Sequence, residues 1–266
     1  MNSKMPVSSQ IGFATLCFIY IVLSFLLVNM TNLYHSLDHE SGLYELLGAF
    51  SLLITSFLLF FAAYKRSQLQ PKKNLPFYLL LGAGIVFFWA WGEELSWGQH
   101  MFGTVTPEWL AQVNDQNETN LHNINKKFFD RWLDRCITLV AIIAAVFHLL
   151  GKERILNLRI PDYCLGLAFI LVPLYRRHET FWDNDIWPIA FLFFPIYVYL
   201  AIKKRSTTLA VYCLFFVLTT AVVVYTNHFK IEFLRGNTNV HHEIKEMMFS
   251  IICIFYSYRL YIDEKS

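Results

Sequence analysis

The residues best able to do chemistry follow directly on an apolar run. FYLLLGAGIVFFWAW leads into Gly92-Glu93-Glu94-Leu95-Ser96-Trp97-Gly98-Gln99-His100. Two adjacent carboxylates that cannot both be solvated push one pKa upward, which suits a general acid or base. The same pair can neutralise a divalent cation. If the helix continues, Glu93, Ser96, Trp97 and His100 share one face at i, i+3, i+4 and i+7. Glu94 then lies about 100° away around the axis. Glu93 and His100 are separated by about 10 Å of rise, too far for joint ligation unless Gly98 breaks the helix.

Further candidates lie on other stretches of the chain. Glu118 and His122 are i, i+4 within Glu-Thr-Asn-Leu-His-Asn, a workable metal-ligand spacing on a helical turn, with Asn120 and Asn123 available to orient them. In His241-His242-Glu243-Ile244-Lys245-Glu246, His242 and Glu246 are i, i+4 and Glu243 and Glu246 are i, i+3. The acids there also suit a helix N-terminus. Glu40 and Glu45 bracket the start of another apolar run, preceded by His35 and His39 at i, i+4. Arg176 and Arg177 can clamp a phosphate or carboxylate, or pair with the nearby acids Glu179, Asp183 and Asp185. Ionisable groups at membrane depth need a partner, water or a task. The expected roles are Glu93 and Glu94 as catalytic groups, and His122, His242, Glu246 and Glu45 as ligands of a divalent metal, zinc or another. Glu40, His100, Glu118, Asn120, Asn123 and Glu243 support them.

The elements that must position these groups are transmembrane helices. The chain of 266 residues is 56% hydrophobic, 17% aromatic and 16% charged. A soluble domain carries roughly 25% charge, so disorder, a coiled coil and an ordinary soluble enzyme are excluded. A spanning helix needs about 20 mostly apolar residues. Eight such segments are predicted, at about 11–30, 43–64, 77–98, 136–151, 162–176, 186–202, 209–227 and 244–261. The fold class is therefore all-α, a single polytopic helical bundle over 1–266.

Basic residues orient it. Lys65, Arg66, Lys72 and Lys73 fall in one short connection, Lys152, Arg154 and Arg159 in another, and Lys203, Lys204 and Arg205 in a third, all on one side. The positive-inside rule puts that side, and both termini, in the cytoplasm of a bacterial inner membrane. Every His except His148 then lies on or near the outer face. The longest connection, 99–135, is outer, and Trp109, Leu110 and Val113 have helical spacing for a short helix on the outer leaflet. The five cysteines are widely spaced without a CxxC pair and read as buried thiols.

GEELSWGQHMFGTVTPEWL followed by NETNLHN resembles a family of uncharacterised bacterial polytopic membrane proteins. That family carries GEEISWGQ, a TPEWL-like segment and an ETNLHN-like segment, with an E-x-G-x-x-E start to an early span. Here that start is Glu40-Ser41-Gly42-Leu43-Tyr44-Glu45. The resemblance covers about 40–123 and singles out Glu40, Glu45, Glu93, Glu94, Glu118 and His122 without implying an activity. Glu93-Glu94 is also faintly similar to the EExxxR motif of the CAAX-protease-like (Abi) intramembrane metalloproteases, but position 98 is Gly where that motif has Arg. His35 and His39 have the HxxxH spacing used in the ceramidase-like superfamily, though early in the chain.

Three functions fit. The first is a membrane-embedded, metal-dependent hydrolase or transferase acting on a lipid or lipid-linked substrate at the outer leaflet. The second is a non-catalytic assembly or sensor protein. The third is a proton- or cation-coupled transporter, which predicts charge at mid-membrane and broken helices in paired halves. The bilayer is the expected partner of all three, and nucleic acid of none.

Overall fold

The computed structural model describes residues 6–30, 32–33, 42–69, 74–114, 117–175, 186–229 and 240–264. Its long elements are α1 (Val7–Asn29), α2 (Leu43–Leu69) and α3 (Leu75–Glu94), then short helices α4 (Gln99–Phe102) and α5 (Glu108–Ala111). These are followed by α6 (Lys126–Leu149), α7 (Tyr163–Leu171), α8 (Ile186–Lys203), α9 (Thr207–Phe229) and α10 (Val240–Asp263). The all-α expectation holds, and each of the eight predicted segments falls on a helix. Five helices among the described residues are long and apolar enough to cross a membrane: α1, α2, α3, α6 from Trp132, and α9 to Thr226.

The ends of these helices follow from local chemistry. Asn74 accepts the Phe77 N–H and Pro76 stands in the first turn of α3, where its missing N–H costs nothing. Asn125 caps α6 through the Phe128 N–H. Asp162 caps α7 through the N–H groups of Cys164 and Leu165, and it also takes the Ser9 hydroxyl.

α7 explains why the predicted span over 162–176 is the shortest. Residues Cys164 to Tyr175 are buried on every side, packed by α1, α6, α8, α9 and α10. A helix that is apolar all round belongs inside a bundle. With the turn Val172–Leu174 it rises about 18 Å, well short of a hydrocarbon core of about 30 Å. Tyr20 of α1 ties its end down by donating to the Val172 carbonyl at 2.8 Å and stacking on Tyr175 with centroids 4.6 Å apart. On the other side of the bundle α2 packs between α3 and α10. Ser56 crosses from α2 to donate to the Gly84 carbonyl of α3 at 2.8 Å.

One end of the bundle is closed by ion pairs. Arg66 meets Glu264 at 2.6 Å, and Asp263 accepts Arg154 at 2.6 Å and Arg159 at 2.8 Å. Both arginines stand on a two-stranded hairpin, Arg154–Ile155 with Leu158–Arg159, which the all-helical expectation lacks. Its turn residues Leu156 and Asn157 both have positive φ, at 50° and 62°. That is the backbone of a tight hairpin, but Leu-Asn is not the Asn-Gly pair that announces one. Asp162→Ala, which removes the α7 cap, is expected to cost about 1 kcal/mol, and Asp162→Asn less. Thermal unfolding of purified protein in detergent measures both.

Candidate functional site

The helix of the GEELSWG stretch stops at Glu94. Ser96, Trp97 and Gly98 then run at φ 45°, 54° and 83°, a left-handed turn. Glycine takes this conformation freely, but Ser and Trp take it at a cost of roughly 1–3 kcal/mol each. The continuous helical face expected for Glu93, Ser96, Trp97 and His100 is therefore not formed. The chain reverses, and Trp97 folds back so that its indole Nε1 donates to Glu93 Oε1 at 2.9 Å. Gly92 makes room for that ring, because a β-carbon there would stand 2.6 Å from it.

Glu93 is 4% exposed. Its second oxygen, Oε2, accepts the backbone N–H of Leu121 at 2.6 Å and of His122 at 3.1 Å. The buried carboxylate thus holds the start of the turn His122–Ile124 from 28 residues away in sequence. His122 Nδ1 lies 3.8 Å from the same oxygen, beyond hydrogen-bond length, with a side chain 25% exposed. The Glu118–His122 spacing is not helical: Asn117 has φ 58°, and the turn begins only at His122. The two side chains turn to different partners, Glu118 to Ser96 and His122 toward Glu93.

Glu118 faces the left-handed turn. Its Oε2 accepts Ser96 Oγ at 2.8 Å, Asn120 Nδ2 at 2.7 Å and Asn123 Nδ2 at 3.2 Å. Asn120 also donates to Ser96 Oγ at 2.9 Å and accepts from Asn114 Nδ2 at 3.0 Å. Thr119 donates to the Ser96 carbonyl at 2.6 Å and offers its N–H to Gln99 Oε1 at 2.6 Å. Gln99 donates to Thr106 Oγ1 at 2.8 Å, and Thr106 donates to the Asn117 carbonyl at 2.6 Å. Three motif segments thus form one hydrogen-bonded body. Gly92, Gln99, Thr106, Asn114 and Thr119 were not among the sequence candidates. Except for Asn114, their signal was membership of those segments, since none carries a charge to draw attention.

The other described candidates stand on α2, α3 and α10. His242 Nε2 and Glu246 Oε1 are 3.6 Å apart on the first turns of α10, as their spacing predicts. Beside them Lys245 is buried and meets the buried Asp134 of α6 at 2.8 Å. His241 is also buried, its ring 5.6 Å from that of Tyr175. Glu243 is partly buried on the same turns, Glu45 in the first turn of α2, and Glu94 at the last residue of α3. Glu40, His35, His39, Arg176 and Arg177 lie outside the described residues, as does the side chain of His100. Among the described residues no group of three or more His, Cys, Asp or Glu side chains is placed to hold a metal ion. The carboxylates and imidazoles come in pairs, Glu93 with His122 and His242 with Glu246.

No protein-family model matches the chain, and no curated protein or solved structure matches it either.

Two outcomes are expected. Glu93→Ala strands three N–H donors, and hydrogen–deuterium exchange is expected to rise over 117–124 while the hairpin at 154–159 stays protected. Lys245→Met leaves Asp134 buried without its cation, and such losses cost about 3–5 kcal/mol. The double variant Lys245→Met/Asp134→Leu is expected to recover most of that in thermal unfolding.

Proposed function

We propose that the protein is a polytopic enzyme of the bacterial cytoplasmic membrane, a hydrolase or transferase that acts on a lipid or lipid-linked substrate at the periplasmic face. On this reading the eight helical segments cross or enter the bilayer with both termini cytoplasmic, as the basic connections suggest. His122 transfers the proton and Glu93 positions it. The supporting observation is the pairing of a partly exposed imidazole with a buried carboxylate at 3.8 Å. The indole and two backbone N–H groups fix that carboxylate, so it orients the ring without moving. Catalytic hydrogen bonds of this kind are often long before substrate binds. A general base oriented by a fixed acid is the arrangement that activates water or a hydroxyl for attack on an ester, amide or phosphoryl centre.

A divalent ion in this proposal would be held by the His242–Glu246 pair, or by His122 in place of its proton-transfer role, and completed by water or substrate oxygens. Elemental analysis of the purified protein before and after His122→Ala tests it.

A second reading, a non-catalytic assembly or sensor protein, is supported by the number of donors that Glu93 and Glu118 already satisfy within the chain. Turnover separates the two. Purified protein in liposomes, offered lipid and lipid-linked esters, amides and phosphodiesters, is expected to convert one class. His122→Ala is expected to lower that rate by roughly 10²–10⁴-fold, the usual worth of a positioned proton-transfer group. Conversion that survives the substitution removes His122 from the chemistry, and conversion of no class favours the second reading.

A further inference from the structure

The segment hydrogen-bonded to the candidate site buries polar side chains and exposes most of its large apolar ones. Between Gln99 and Asn114, three polar side chains turn inward: Thr106 is 7% exposed and Asn114 6%, and with Gln99 they bond to Asn117, Asn120 and Thr119. Of the large apolar side chains, Leu110 is buried, but Phe102 is 77% exposed, Val105 90% and Trp109 66%. A loop in water is organised the other way round. Glu108 and Gln112 share the outer surface, so it is mixed and not a hydrocarbon-facing wall.

A second group of exposed rings stands where α6 begins, at the same end of the bundle. Phe128 and Trp132 are both about half exposed and lie 6.0 Å apart, centroid to centroid, and the Arg135 guanidinium is 5.7 Å from the Trp132 ring. Aromatic rings interleaved with polar and basic groups are the composition of the headgroup zone, where an amphipathic ring keeps one end apolar and one end wet. The surface is also continuous along the chain with α3, whose Ile85 and Val86 are exposed on a helix long and apolar enough to span.

We infer that the 99–114 cover is seated in the interfacial layer of the protein's own bilayer, with Phe102, Val105 and Trp109 as its lipid-binding side chains and phospholipid as the occupant of that surface. The candidate site therefore lies at lipid level under a membrane-anchored cover, and a substrate reaches it sideways from the leaflet. This rests on the membrane reading above, but not on catalysis by His122.

Nitroxide accessibility in proteoliposomes of phosphatidylethanolamine and phosphatidylglycerol tests it. Among the described cysteines only Cys136 is exposed, so the background is Cys136→Ser. Single cysteines at Phe102 and Val105 are labelled, with Val86 as the lipid-facing control and Lys152 as the water-facing one. The expected ratio of oxygen to nickel-chelate collision rates at 102 and 105 is several-fold above that at 152 and close to that at 86. A ratio equal to that at 152 overturns the inference. So does protection from both quenchers with spin–spin broadening that disappears on dilution with unlabelled protein, because a second copy would then occupy the surface. Native Trp109 gives an independent readout. Quenching by brominated lipid is expected to fall on Trp109→Phe, and no change overturns the assignment. Label depth is indifferent to turnover, so failure of the enzyme proposal and failure of this one are separate results.

Discussion

A single buried carboxylate organises the chemistry-bearing end of the molecule. Glu93 ends an apolar helix, and its two oxygens take an indole N–H and two backbone N–H groups. An ionisable group at that depth is expensive unless its lone pairs are filled. The three donors fill them, and in doing so they fix where the chain goes next. Trp97 reaches back from the left-handed turn of Ser96, Trp97 and Gly98. Leu121 and His122 can donate only if the connection returns to the end of α3. The strain of the turn and the burial of the anion are thus two sides of one arrangement. Glu118 then ties the turn to the returning segment through Ser96, Asn120 and Asn123.

The remainder of the bundle supports this end without taking part in it. α7 is enclosed by its neighbours and supplies packing. The ion pairs of Arg66, Arg154 and Arg159 with Glu264 and Asp263 hold the helix ends opposite. Between them, the buried Lys245–Asp134 pair links α6 to α10. A pair of this kind adds little net stability over apolar residues of the same size, but it penalises any register in which the partners miss each other. It therefore fixes how α10 sits against the helix that begins at the end of the candidate site.

Much of this was legible in the sequence, for identifiable reasons. Apolar runs of helical length mark the helices because a bilayer demands them. GEELSWGQ and NETNLHN stand out as polar density, since their seven charged or amide-bearing residues have no reason to adjoin lipid singly. What the sequence could not show is the geometry that joins them. Helical periodicity carried past Glu94 placed Ser96 and His100 on the face of Glu93, and nothing in Ser-Trp signals a left-handed turn. The turn is imposed by the tertiary bonds it makes possible. The His122–Glu93 pair was likewise hidden, because its partners belong to different segments and meet only after the chain reverses. The hairpin at Arg154–Arg159 was missed for a related reason, its turn residues being ones that seldom take positive φ.

The claim that the buried acid of α3 holds the returning segment is open to direct measurement in a bilayer. Glu93 labelled with carbon-13 at its carboxyl and Leu121 labelled with nitrogen-15 form a spin pair whose dipolar coupling reads their separation by rotational-echo solid-state NMR. The account predicts strong dephasing, matching the 2.6 Å contact between the Leu121 nitrogen and the carboxylate oxygen. Absence of dephasing in correctly folded protein would contradict it, and the proposed roles of Glu93 and His122 would go with it.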